Sequence, residues 1–525
     1  MPSVIVVGAG LAGLACALEV ARHAMPVTLV SAQSSERSQS VLAEGGINAA
    51  LDLMGEHDTV REHFEDTMRG GCDLADPNAV WGLVSDAPAI IGDLLELGVP
   101  FQREDGRMVQ RAFGGQKKMR TAFAQSSTGK VLVCALVDAV RRYEGRGLVT
   151  RMPHHELRAL SMRDGRCVGC IVHDAFRGTD EALVGPVVLC CGGMGGLFGA
   201  LTTGSTTNTG DVAALALAQG VELANLEFVQ YHPTTVPIAG KRLLVSEAAR
   251  GEGGRLYVER GGRPYYFMEE RYPKLGNLMP RDVVSREEWL VQHDPALGDQ
   301  VYLDLTGIPR AVWEARLSDM HEELEHYLGL DVHKSPVPVE PGIHYTMGGL
   351  LVDERHQTSV GGLYAAGECA CAYHGANRLG GNSLLGAIRG GKVAAAGACE
   401  DARAWGRRDR DGATCDMGPE VPHALETERA MREVLAASMG IVRDGDRLDE
   451  ARVALEGLAP SRRVLLARAL VRSALAREES RGAHMRLDHP DTSAAYRRTT
   501  VVTLDGGEPR IQFRDIPHAR EGVGA

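Results

Sequence analysis

The sequence predicts an α/β protein in which a two-part Rossmann-like nucleotide-binding domain carries an inserted capping domain and is followed by a helical domain and a small C-terminal β region. Three observations lead there. The chain opens on a strand, a glycine turn, a helix and a second strand; two apolar strands ending in glycine come much later; and 525 residues exceed what one hydrophobic core organises, so several cores should surround a cleft. The expected segments are 1–234 and 343–405 for the two parts of the nucleotide-binding domain, 235–342 for the capping domain, 406–485 for the helical domain and 486–525 for the C-terminal region.

SVIVV at 3–7 is a short buried-strand run, GAGLAGLACALEVARHA continues as turn and helix, and PVTLVS is the second strand. Gly8, Gly10 and Gly13, with Ala12 in the same turn, give GxGxxG in its proper setting. The glycines allow a tight turn, a close backbone approach to pyrophosphate and close helix packing, with phosphate on the helix N-terminus. Ser31 stands at the end of the second strand, where a dinucleotide site expects an acid, which weakens a NAD ribose clamp. LVGPVVLCCGG ends in Gly192 and Gly193, and GLYAAGE ends in Gly367 and Glu368. Both read as strands delivering loops to one cofactor, with Glu368 on a ribose hydroxyl; a solvated strand-end glutamate is the alternative. ARAWGRRDRDGATCDMGPE, at 402–420, reads as a charged linker. Residues 421–483 show helical apolar spacing (Leu425, Met431, Val434, Leu435, Leu465, Ala467, Leu470), and 495–514 read as short strands.

The 57 basic and 69 acidic side chains leave a net charge of −12, which offers no general attraction for nucleic acid or an anionic membrane. An anionic substrate needs a local cationic pocket. No apolar run reaches the ~20 residues of a spanning helix, so membrane contact is expected only through a partner. The strand pattern begins within three residues of Met1 and leaves no room for a secretory leader, so the expected setting is cytoplasmic. Among the 11 cysteines, Cys134, Cys190, Cys191 and Cys399 sit in apolar runs and are expected to be reduced, buried thiols. Cys167 and Cys170 form one CxxC in a strand-like segment without a second pair, which favours strand packing over a metal site. No metal and no attached haem are expected.

Four segments together resemble one family: SVLAEGGINAAL at 40–51, EFVQYHPT at 227–234, SEAARGEGG at 246–254, and HYTMGG with HGANRLGGNSL at 344–349 and 374–384. RAFGGQKKMRTAFAQSSTG at 111–129 and the PRD of 280–282 extend the match. The resemblance is to the flavoprotein subunits of fumarate reductase and succinate dehydrogenase, a family that also contains L-aspartate oxidase. It implies an FAD-binding domain with an inserted capping domain, and hydride transfer from flavin N5 to fumarate.

The residue types suit that chemistry in their own right, because a dianion bound in a dry cleft demands donors at both ends, best supplied by arginine forks and histidines. By motif, the resemblance implies His232 and Ser246 on one carboxylate, His344 and Arg378 on the other, and Arg281 as proton donor to the reacting carbon. Glu247 and Arg250, three apart on one helix face, take the relay positions. Singly, each has a plainer reading as a surface pair, a core histidine or a loop cap. For the cofactor, the resemblance implies Ser40, Gly45 and Gly46 along the isoalloxazine, Asp211 as an FAD-contacting acid, and Ser383 and Leu384 opening a helix that faces the pyrimidine ring. Ser31 closes the cofactor set at the second strand.

Gln39 departs from the pattern: succinate dehydrogenases and membrane-bound fumarate reductases have there the histidine that bonds FAD covalently. An amide cannot form that linkage, so a noncovalent FAD is expected, with a lower potential that favours reduction of fumarate. L-aspartate oxidase is the alternative activity, although its arginine segment reads closer to NRMASNS than to NRLGGNS. Another flavin-dependent reductase of an unsaturated acid, or a catalytically silent assembly protein, fits the double clamp and Arg281 less well. The sequence holds no iron-sulfur cysteine set, so electrons are expected from an iron-sulfur subunit, or from a soluble carrier.

Overall fold

The computed structural model describes residues 2–406 and 424–524; of the expected linker, the part from 407 lies outside the described residues. Five parallel strands form the central sheet, in the order Leu363–Ala365, Val187–Leu189, Val4–Val7, Val27–Ser31 and Val149–Pro153. Strand Val4–Val7 sits in the middle and is buried along its whole length, as expected of VIVV in a parallel sheet covered on both faces. The helix Leu11–Arg22 leaves it through Gly8, whose φ of +111° is open to glycine and strained for other residues. That helix packs on the long helix Asn382–Arg403 at small residues: a Cβ on Gly391 would lie 2.3 Å from the Ala12 carbonyl oxygen. The beginning of the chain and the 382–403 segment thus build one layer.

An antiparallel six-stranded sheet forms the second lobe, in the order Lys241–Leu244, Val229–Ile238, Val337–Thr346, Val301–Asp304, Arg255–Arg260 and Arg263–Tyr265. It has its own core, which includes Leu256, Phe267, Leu303 and Trp313. Strands Val229–Ile238 and Val337–Thr346 pair with each other, Val229 opposite Thr346 and His232 opposite Gly342, so they form the ladder by which the chain enters and leaves the lobe. The positions 234/235 and 342/343 fall inside these two strands.

Helices Leu425–Ser438, Gly445–Glu456 and Arg462–Ala476 occupy the expected helical region. Their apolar faces enter the same core as Ile5, Val187 and Leu189 of the central sheet, so this region shares a core with the nucleotide-binding domain. The C-terminal hairpin Arg498–Asp505 and Glu508–Asp515 completes a sheet with Leu223–Ala224 and Gly349–Leu351. No helix among the described residues is long and apolar enough to cross a membrane.

The cysteine expectation needs correction. Cys190 and Cys399 are buried and Cys191 is half-buried, but Cys134 is exposed. In the helix Thr128–Glu144 the inward stripe is Leu132, Val133, Leu136 and Val137, and Cys134 falls on the outward side. Cys167 and Cys170 are both buried in the strand Arg166–Asp174.

Candidate active site

A cavity of about 830 Å³ runs from the glycine turn to the first residues of the helix Asn382–Arg403. Its lining includes Gly8, Gly10, Ala12, Ser31, Gln39, Ser40, Asp211, Glu368, Ser383 and Leu384. That volume is of the size that cofactor sites have. The turn is built for close approach: a Cβ on Gly8 would sit 2.1 Å from the Cys190 carbonyl oxygen, and one on Gly13 would sit 1.8 Å from the Gly8 carbonyl oxygen. Gly13 therefore serves packing and does not line the cavity. Ser40 Oγ accepts the Leu11 N–H at 3.0 Å, which places the 40–51 segment against the helix N-terminus. Gly45 and Gly46 lie outside the lining; a Cβ there would meet Phe113 at 2.5 Å and the Ala122 carbonyl oxygen at 2.5 Å, so they are close-packing positions.

Glu368 closes the middle of the cavity. Its Oε1 accepts the Thr346 N–H at 3.0 Å, and burial pushes the carboxyl up to about 7 against the lowering effect of those donors and of Arg378. Asp211 lines the cavity and is held by Arg463 through two bonds of 2.7 Å. Gln39 Oε1 accepts the Ser205 N–H, so its amide is anchored to the far wall. The donor set, the backbone turn with its free approach and the volume all fit FAD.

Beside the cavity lies a closed cluster of charge, and His344 and Tyr345 line the boundary between the two. Ser246 caps the short helix Glu247–Gly251 by accepting the Ala248 N–H at 3.4 Å, leaving its own O–H available to donate. That helix fixes Glu247 between two arginines. Arg281 donates to Glu247 Oε2 from Nε at 3.0 Å and from Nη2 at 2.7 Å, and Arg250 Nη2 donates to Oε1 at 3.3 Å. Burial works to raise the Glu247 carboxyl, but Arg281 and Arg250 outweigh it and hold it below the usual carboxylate range. The paired relay positions are thus a buried network and not a surface ion pair.

Arg378 reaches the same point from the other side. Gln230 Oε1 accepts from Arg281 Nη1 at 3.3 Å and from Arg378 Nη2 at 3.1 Å, bridging two like charges. Arg281 and Arg250 bond the Glu247 carboxylate while Arg378 donates only to the neutral oxygens of Gln230 and Leu379, an arrangement that needs anionic charge because buried cations are costly when unpaired. Burial and the neighbouring Arg281 charge push Arg378 down to about 9. His232 is fully buried and its Nε2 has no partner, while His344 Nδ1 is hydrogen-bonded to the Thr203 hydroxyl at 2.9 Å. The two rings lie 5.1 Å apart. Burial first, then the arginine charges, keep both imidazoles well below their ordinary value, so both are neutral at neutral pH.

The structure therefore brings His232, Ser246, Glu247, Arg250, Arg281, His344 and Arg378 to one place. Sequence reasoning missed Gln230, Asn377 and Thr203. Gln230 was detectable: it stands two residues before His232 on a strand, and alternation puts both on one face. Asn377 orients it, accepting Gln230 Nε2 at 2.6 Å and donating to Asp282 at 2.8 Å. Thr203, in an irregular loop, carried no signal.

Comparison with known proteins gives the family. Residues 3–384 match the family described as FAD binding domain, and residues 461–521 match the fumarate reductase flavoprotein C-terminal family. The chain is 38% identical to the succinate dehydrogenase flavoprotein subunit of Bacillus subtilis, with 98% of this chain and 96% of that one covered. It is 36% identical to the L-aspartate oxidase of Streptomyces coelicolor, over 96% and 91% of the two chains. A mutant of E. coli quinol fumarate reductase superimposes with a TM-score of 0.89 at 30% identity, covering 100% of this chain and 99% of that one. An FAD cradle, an adjoining cationic cluster and end-to-end relatives lead to one conclusion: the chain belongs to the succinate dehydrogenase and fumarate reductase flavoprotein family of FAD-dependent oxidoreductases.

Proposed function

We propose that the protein is the catalytic flavoprotein subunit of a fumarate reductase, and the observation that carries this is the buried excess of guanidinium charge around Glu247 and Gln230 beside the FAD cavity. A fumarate dianion supplies the missing negative charge. When bound, FAD supplies the hydride through N5. His232 and the Ser246 hydroxyl hold one carboxylate; His344 and Arg378 hold the other and can replace the Gln230 bond with a stronger charge-assisted one. Arg281 gives its proton to the carbon where negative charge develops, and Glu247 with Arg250 returns a proton to it. Transfer from a guanidinium is feasible when a carbanion forms within reach and the lobe keeps water out.

L-aspartate oxidase is the second reading, favoured by the similarity to the Streptomyces coelicolor enzyme. The deciding measurement compares fumarate with L-aspartate, anaerobically with a reduced dye and aerobically with peroxide detection. Fumarate is expected to be reduced, and aspartate is expected to yield no peroxide; aspartate oxidation without fumarate turnover overturns the reading.

Gln39 supports a noncovalent FAD, held by the Gly8 to Gly13 turn, Glu368 and the helix opening at Ser383. All flavin is expected in the supernatant after acid precipitation; yellow pigment in the pellet refutes this. Without the electron-withdrawing tether the flavin is the better donor, so fumarate reduction should outrun succinate oxidation. An iron-sulfur subunit is the proposed electron donor, with membrane contact through it; the name of the Bacillus subtilis relative, a flavoprotein subunit, supports a partner.

The pH profile follows from Arg378. Its guanidinium is charged below about 9 and loses its proton above it, so kcat/KM for fumarate is expected to fall as pH rises through that value. Because the bound dianion favours the charged form, the corresponding limb in kcat should lie higher. The two histidines are neutral in the free protein and should leave no inflection near their ordinary value.

A further inference from the structure

His344 lines the cavity and is held through one ring nitrogen: Nδ1 lies 2.9 Å from the Thr203 hydroxyl, while Nε2 bonds no other described residue. A neutral imidazole carries a single N–H, so the partner of one nitrogen decides what the other offers. The Thr203 hydroxyl has one proton and two places for it, His344 Nδ1 at 2.9 Å and the Ile343 carbonyl oxygen at 3.4 Å. The second is long for an O–H donor to oxygen, which bonds at ~2.5–3.0 Å. The Ile343 oxygen, moreover, already accepts the Thr203 N–H at 2.8 Å. The hydroxyl proton therefore goes to Nδ1. The loop is built to hold Thr203 in that place. Thr203 is buried, Thr202 Oγ1 accepts the Gly204 N–H at 3.0 Å, and Gln39 takes the Ser205 N–H. A Cβ on Gly204 would lie 2.7 Å from the Gln39 amide atoms. Because Thr203 also bonds the backbone of Ile343, the neighbour of His344, hydroxyl and ring are fixed in one frame.

We propose that Thr203 is a positioning residue that selects the tautomer of His344, making Nδ1 the acceptor and leaving Nε2–H as the donor for the substrate carboxylate. This rests on the carboxylate-binding role proposed for His344 above. In the opposite tautomer Nε2 would turn a lone pair toward a carboxylate oxygen, and two acceptors would face each other. His232 has no equivalent device. The Thr234 hydroxyl donates to the Val245 carbonyl oxygen at 2.7 Å, and His232 Nδ1 has the Thr234 carbonyl oxygen at 3.2 Å and the Thr234 N–H at 3.3 Å, an acceptor and a donor at nearly equal distance. The tautomer of His232 is left open where that of His344 is set. The neutral state that gives His344 a tautomer at all follows from burial and from the Arg281 and Arg378 charges. Thr203 does not line the cavity; it acts through His344.

Thr203→Val keeps the branched shape and removes the hydroxyl, whereas Thr203→Ser keeps the hydroxyl. Nitrogen-15 NMR of the substrate-free, FAD-loaded protein, labelled in its histidine rings, reads the tautomer directly, and the His344 signal is identified by its loss in His344→Asn. The Nε2–H form is expected in the wild type and in Thr203→Ser, and a mixture in Thr203→Val, with the flavin content the same in all three. In dye-linked assays KM for fumarate should rise about twofold to tenfold in Thr203→Val, the worth of one hydrogen bond, with kcat lowered less. Thr203→Ser should stay near the wild type. A merely structural threonine would change flavin content or stability and leave the tautomer alone. An Nδ1–H or doubly protonated His344 in the wild type overturns the proposal, as does an unchanged tautomer in Thr203→Val. A tautomer change in a protein that turns over no fumarate keeps Thr203 in its role and overturns the fumarate reading instead.

Discussion

Arg281→Lys is expected to abolish fumarate reduction while the FAD absorbance stays intact. The guanidinium makes two bonds to Glu247 Oε2 and a third to Gln230, and that fork fixes the donor against the reacting carbon. A shorter ammonium can hold the Glu247 carboxylate, but it cannot keep both partners and still present a proton to the substrate. The loss should be about 10²-fold to 10⁴-fold in kcat, the range for a general acid. Dye-linked turnover together with the flavin spectrum checks it. Substantial surviving turnover would remove Arg281 from the role of proton donor.

Arg378→Gln comes next in size. Arg378 is buried, lies over the Tyr345 ring at 4.6 Å, and shares Gln230 with Arg281. Removing its charge leaves one carboxylate of a buried dianion without its strongest partner, a loss of about 2–5 kcal/mol for a buried charge pair. At about 1.4 kcal/mol per tenfold, kcat/KM should drop by roughly 30-fold to several thousandfold, mostly through KM. The substitution also removes the group that titrates at about 9, so the alkaline limb of kcat/KM should disappear with it. A variant that binds fumarate normally and keeps that limb would exclude Arg378 from the clamp.

Much of this protein is local in origin, and that part was legible. The strand Val4–Val7, the turn at Gly8 and the helix from Leu11 follow from a continuous apolar run, glycines that free the backbone and 3.6-residue spacing, all within a few positions of each other. The Ser246 cap and the Glu247–Arg250 pair are local in the same way, being one turn of helix. The motif segments also named His232, Arg281, His344 and Arg378, because their chemistry is tied to short, specific strings.

What only the tertiary structure decided concerns residues far apart in the chain. Gln230 and Arg378 are 148 positions apart, and the bridge from one carboxamide to two guanidinium groups exists because the ladder of Val229–Ile238 carries Gln230 beneath both. Likewise, Glu288 reads on the sequence as one more helix acid next to Glu287; packing buries both, one against Arg271 and the Tyr272 hydroxyl and the other without a hydrogen-bond partner. The shared core of the C-terminal helices and the central sheet, and the outward turn of Cys134, were settled by which faces found apolar partners. Backbone preference and periodicity act over a few residues, so the sequence determined the elements and the chemical groups. The burial that shifts Arg378, neutralises the histidines and leaves Glu288 without a partner arises only when distant elements exclude water together.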